Sequence, residues 1–125
     1  DVEGSELFVF QGATKYLKDY KPIIFCELLR KWSKKFNYSP NEVINLICRY
    51  GYNCYQLNKN KLKKITKITE KTVNTNFFFM HPTRHKKFIN KLSVSMFCND
   101  KYDGILLRFI NFSIIEIFSR RLNVH

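Results

Sequence analysis

The chain has 125 residues, enough for one domain, and 45% of them are hydrophobic, enough to bury a core without disulfide staples. Lys and Arg number 22 against 10 Asp and Glu, a net charge of +12 that speaks to partners and solubility rather than to fold. No uninterrupted apolar stretch reaches the roughly 20 residues that a membrane span requires, so a transmembrane protein is excluded as an expectation.

Asp1-Val2-Glu3-Gly4-Ser5-Glu6 opens the chain as an acidic, glycine-containing turn with no Met before it. It leads straight into a helical pattern. Leu7, Phe10, Thr14 and Leu17 fall on one stripe, which predicts a helix from about residue 5 to 19. Glu6 lies in its first turn, where a carboxylate suits the positive helix end. Lys21-Pro22 ends it, and Ile23 to Leu28 is a nearly continuous apolar run. Such a run reads as a strand buried on both faces and so predicts a parallel, helix-covered sheet. Glu27 interrupts it at its C-terminal end.

Residues 30 to 38 are basic and aromatic and read as a loop or short helix. Ser39-Pro40-Asn41-Glu42 is the clearest local signal, a capping box with proline at the first helical position. Val43, Leu46, Ile47 and Tyr50 form the apolar stripe of that helix, and Gly51 ends it in the left-handed region. Residues 52–57 read as a strand, 58–61 as a turn, 62–72 as a short strand or loop rich in Lys and Thr, and 76–80 as a buried strand stopped by His81-Pro82. From residue 84 the character changes to a basic stretch and then an apolar segment from Ile105 to Phe118, read as a packing helix.

Cys26, Cys48, Cys54 and Cys98 contain no C-x-x-C pair and are expected to be free thiols in a reducing, cytoplasmic setting. The sequons at Asn37 and Asn111 carry little weight without a secretory signal. His81 and His85 are four residues apart, but Pro82 disfavours a helix at His81 and no third ligand lies close in sequence, so no metal is expected.

Five segments together resemble the FkbM family of methyltransferases that use S-adenosylmethionine. They are D-V-E-G-S-E-L-F-V-F-Q-G-A at 1–13, K-P-I-I-F-C-E at 21–27, S-P-N-E-V-I-N-L-I at 39–47, G-Y-N-C-Y-Q-L at 51–57 and N-T-N-F-F-F-M-H-P at 74–82. The resemblance implies an α/β fold, the C-terminal half of a Rossmann-like class I methyltransferase sheet. That half would hold a parallel strand at 23–28, antiparallel terminal strands at 52–57 and 76–80, flanking helices and an extra C-terminal apolar helix. Residues 1–83 would form that half-domain and 84–125 a divergent tail. The implied activity is O-methylation of a hydroxyl on a sugar or small metabolite.

By the resemblance Asp1 stands at a strand end as substrate-orienting group or base, with Glu3 and then Glu27 as further catalytic candidates. The family's glycine-rich loop and ribose-gripping acid have no counterpart in this sequence, so cofactor-binding residues are unassigned and the isolated segment is expected to be inactive. The alternative is a non-enzymatic basic module for nucleic acid or anionic glycan, resting on lysine-rich residues 59–71. On the methyltransferase reading nucleic acid is not an expected partner.

Overall fold

The computed structural model describes residues 3–59 and 61–93. Asp1 and the Ile105–Phe118 segment lie outside the described residues.

Glu3 and Gly4 both have positive φ, 37° and 98°, and turn the chain into α1 (Glu6–Gly12). A second helix, α2 (Thr14–Tyr20), follows after a break at Ala13, where one continuous helix is expected from the sequence. The Ala13 N–H is shared between the Val9 and Phe10 carbonyls at 3.0 and 3.2 Å, the tightened end of a helix rather than its middle. Gly12 just before it weakens the helix by roughly 1 kcal/mol relative to Ala, which favours the break there. Lys21 then adopts a left-handed conformation and releases the chain into β1 (Ile24–Glu27).

A short helix, α3 (Arg30–Lys35), leads to α4 (Pro40–Cys48). The capping box forms as the sequence predicts: Ser39 Oγ accepts from the Asn41 N–H at 3.3 Å, and Glu42 Oε1 accepts from the Ser39 N–H at 2.8 Å. Gly51, at φ 85°, turns the chain after α4 into β2 (Asn53–Asn58). The hairpin partner β3 (Lys61–Ile65), a crossing loop and β4 (Asn76–Met80) complete a four-stranded sheet in the order β1-β4-β2-β3.

All three pairings in this sheet are antiparallel, including those of β1 with β4 and of β2 with β4. The expected pairing of the 52–57 and 76–80 strands is therefore present, whereas β1 has no parallel partner among the described residues. The apolar run in β1 reported burial correctly but carried no information on the direction of its neighbour. Two strands that are each antiparallel to β4 run the same way, so β1 and β2 end on one rim.

One face of the sheet, through Ile24, Cys26, Cys54, Phe77 and Phe79, packs on α1, α2 and α4 by way of Leu7, Leu17, Val43, Ile44 and Ile47. The crossing loop seals the same face with Ile68. Asn41 holds it from both sides, donating from Nδ2 to the Ile68 carbonyl at 2.9 Å and accepting at Oδ1 from the Ile68 N–H at 2.7 Å. The other face, through Tyr55, Leu62, Phe78 and Met80, receives Phe88, Ile89 and Leu92 of α5 (Lys86–Ser93). Cys26, Cys48 and Cys54 are free thiols.

The two histidines serve the start of α5. His85 Nδ1 accepts from the His81 N–H at 2.9 Å, and the His85 N–H donates to the His81 carbonyl at 2.9 Å. Burial first, and then the neighbouring His81 and Arg84, hold the His85 pKa below its ordinary 6.5, and protonation of Nδ1 would break its bond from the His81 N–H. The unfolded chain thus takes up a proton before the folded one does. Stability is full above about pH 7 and declines as pH falls below about 6.5 towards the folded value. Urea midpoints measured across that range should drop on acidification, and His85→Gln should flatten the dependence. An unchanged slope in the variant would assign the titration elsewhere.

Candidate active site

The C-terminal ends of β1 and β2 share one rim of the sheet with the start of β4. Two successive residues span it. The Asn74 side chain donates from Nδ2 to the Leu57 carbonyl at 3.2 Å. The Thr75 hydroxyl donates to Glu27 Oε1 at 3.3 Å, and the Thr75 carbonyl accepts from the Leu28 N–H at 2.8 Å. Glu27 is exposed, with one carboxylate oxygen oriented by Thr75. Arg30, at the start of α3, reaches back to donate from Nη1 to the Thr69 carbonyl at 2.7 Å, which ties the crossing loop to the same end of the sheet.

The entry turn lies against the helix that leaves β1. A Cβ on Gly4 would stand 2.8 Å from the backbone carbon and the Cβ of Trp32, so the turn and α3 touch through their main chains. Glu3 is exposed on this turn. The Gly4 N–H donates to Glu6 Oε1 at 3.0 Å. From the segment between α3 and α4, the Tyr38 hydroxyl meets the Gly4 carbonyl at 2.5 Å and Glu6 Oε2 at 2.9 Å, one proton facing two acceptors. Burial and the Glu6 carboxylate push the Tyr38 pKa well above its ordinary value, so the hydroxyl keeps its proton.

Glu6 and Glu27 also share a neighbourhood. Burial first, and then Glu6, Cys54 and Glu27, push the Cys26 thiol far above the usual range, so it is an inert core group and no nucleophile. Of the three carboxylates expected to be catalytic, Asp1 is outside the described residues, Glu3 sits on the turn held against α3, and Glu27 sits at the rim itself. Glu6, expected only to serve the helix end, instead joins the turn to Tyr38. Nothing local in the sequence announced that link. Tyr38 lies 34 residues from Gly4, and only the packing of α1 on α4 brings them together.

Trp32 is half-buried beside this turn, with Lys35 Nζ 3.9 Å and Lys31 Nζ 5.7 Å from its ring centroid. These are cation–π contacts on the outer surface of α3. Among the described residues no group of three or more His, Cys, Asp or Glu is placed to hold a metal ion. No helix among them is long and apolar enough to cross a membrane.

Residues 1–54 match the family model of the methyltransferase FkbM domain. The FkbM match runs from the entry turn through α4 and ends inside β2, short of residue 82, to which the resemblance was read. It contains Glu27, Leu28 and Arg30 at the rim and Glu3, Gly4, Glu6, Trp32 and Tyr38 around the entry turn. No curated protein and no solved structure matches the chain.

Proposed function

We propose that this chain is the acceptor-side part of an O-methyltransferase that uses S-adenosylmethionine and acts on the hydroxyl of a sugar or other small metabolite. The FkbM match over residues 1–54 carries this reading, and the rim position of Glu27 supports it. When bound, S-adenosylmethionine would supply an electrophilic methyl group. The described residues do not by themselves fit it. Gly4 is filled behind by the Trp32 backbone, Gly51 faces His81, and Gly12 closes a helix, so none forms the strand-to-helix cradle that a nucleotide needs.

The part left to these residues is the acceptor. A carboxylate at a strand end, oriented by a hydroxyl donor, can accept the proton of an incoming hydroxyl or hold it in line. Glu27, with Thr75 fixing one oxygen, is suited to either role. Glu3, on the entry turn, and Asp1 remain the other candidates. Alignment of the acceptor is worth about 7–11 kcal/mol at best and a general base about 10²–10⁴-fold in rate, so positioning dominates.

The test is methyl transfer from labelled S-adenosylmethionine by the protein expressed from its full reading frame, against a panel of sugars and hydroxylated metabolites. Glu27→Gln should lower kcat by about 10²–10⁴-fold with cofactor affinity unchanged. The 125-residue chain alone should give no binding heat with S-adenosylmethionine in titration calorimetry. Transfer that survives Glu27→Gln, Glu3→Gln and Asp1→Asn undiminished would remove the catalytic assignment.

A further inference from the structure

The charge of this protein is segregated. From residue 59 to 93 ten residues are Lys or Arg and one, Glu70, is acidic. From residue 3 to 58 the corresponding numbers are eight and five. A compositional bias towards lysine would add cations everywhere but would not remove acids from one half of the fold. All ten cations are exposed.

The topology gathers them. β3 is the edge strand opposite β1: Lys64 shares with Leu62 the face that α5 covers, Lys61 and Lys63 project from the other face of the same edge, and α5, which lies against β3, carries Lys86, Lys87 and Lys91. We propose that the surface formed by β3 and α5 binds double-stranded nucleic acid through its phosphates, independently of the methyltransferase reading.

The surroundings favour a duplex over single strands and over an anionic bilayer. The aromatic residues of the 59–93 region are Phe77, Phe78 and Phe79, which are buried, and Phe88, which is packed on the sheet. Single strands are held by bases stacked on exposed aromatic rings, and this surface offers none. A duplex keeps its bases inside and presents phosphates, which lysine side chains meet as point charges. An anionic bilayer is held by a basic helix whose apolar side enters the lipid. The apolar side of α5, Phe88, Ile89 and Leu92, is already spent on Tyr55, Leu62, Phe78 and Met80.

The whole 125-residue chain should bind a labelled RNA or DNA duplex of roughly 20 base pairs in fluorescence anisotropy, with little dependence on base sequence. Four engaged phosphates give a slope of about −3.6 in log affinity against log salt, a loss of roughly 100-fold between about 50 and 200 mM. The combined variant Lys64→Glu, Lys86→Glu, Lys87→Glu and Lys91→Glu should bind at least about tenfold more weakly at low salt. Lys15→Glu with Lys18→Glu on α2 should change affinity less than about twofold, with circular dichroism showing that both variants fold. The proposal is overturned by any of three results: no binding at low salt, equal weakening in the two variants, or tighter binding to single strands, heparin or phosphatidylserine vesicles than to the duplex.

Discussion

Replacing Phe79 by Ala is expected to lower the stability of the folded chain by about 3–5 kcal/mol, enough to abolish the cooperative transition of a marginal domain. Phe79 has no exposed surface and sits in the centre of the sheet, opposite Ile24 of β1 and Cys54 of β2. Its ring fills the layer between β4 and the helices, where Val43 and Ile47 are likewise fully buried. Truncation loses the transfer energy of the ring and leaves a void that the flanking strands cannot close, because both are pinned by their ladder to β4. Urea denaturation followed by circular dichroism measures it. A loss under about 1 kcal/mol would mean that the core relaxes around the gap and is not rigidly close-packed at this layer.

Gly4→Ala is the second large effect, and it reaches the rim. At φ 98° an L-residue is strained by about 1–3 kcal/mol. The added methyl would also lie 2.8 Å from the Trp32 backbone and 2.9 Å from its carbonyl oxygen, and main chain cannot rotate away as a side chain can. The turn or α3 must shift, at a further cost of about 1–3 kcal/mol. Because Gly4 is bonded to Tyr38 and Glu6, the shift breaks the clamp that positions the entry turn. Denaturant midpoints should fall by the equivalent of about 2–5 kcal/mol. Tyr38 fluorescence and the exchange of the Gly4 amide report whether the clamp opens. A variant with wild-type stability and a protected amide would show that the turn does not need its glycine.

What could be read in advance was what local chemistry fixes. The capping box at Ser39–Glu42 is a four-residue signal, and it formed as expected. Gly51 and His81-Pro82 marked element ends because their backbone preferences do not depend on neighbours. The expected strands at 23–28 and 76–80 stood out by their apolar runs, and the one at 52–57 by the glycine turn before it. The break at Ala13 was missed because Gly12 is only weakly unfavourable inside a helix and the stripe continues through it. Strand direction at β1 was not legible, since burial on both faces suits either polarity. Glu27 was legible as the end of a strand and the entry turn as the start of a helix. The Tyr38–Gly4–Glu6 clamp and the Asn41 grip on Ile68 depend on contacts 34 and 27 residues apart, for which a single sequence offers no spacing rule.

The two margins of the sheet are not equivalent. Along β3 the alternating lysines set like charges against any second copy that approaches through that strand, so lateral growth there is opposed electrostatically. Along β1, whose outer side has no strand partner among the described residues, Ile24 to Glu27 carry no cation at all. A basic strand is therefore opposed at β3 and meets no such repulsion at β1, beside Glu27.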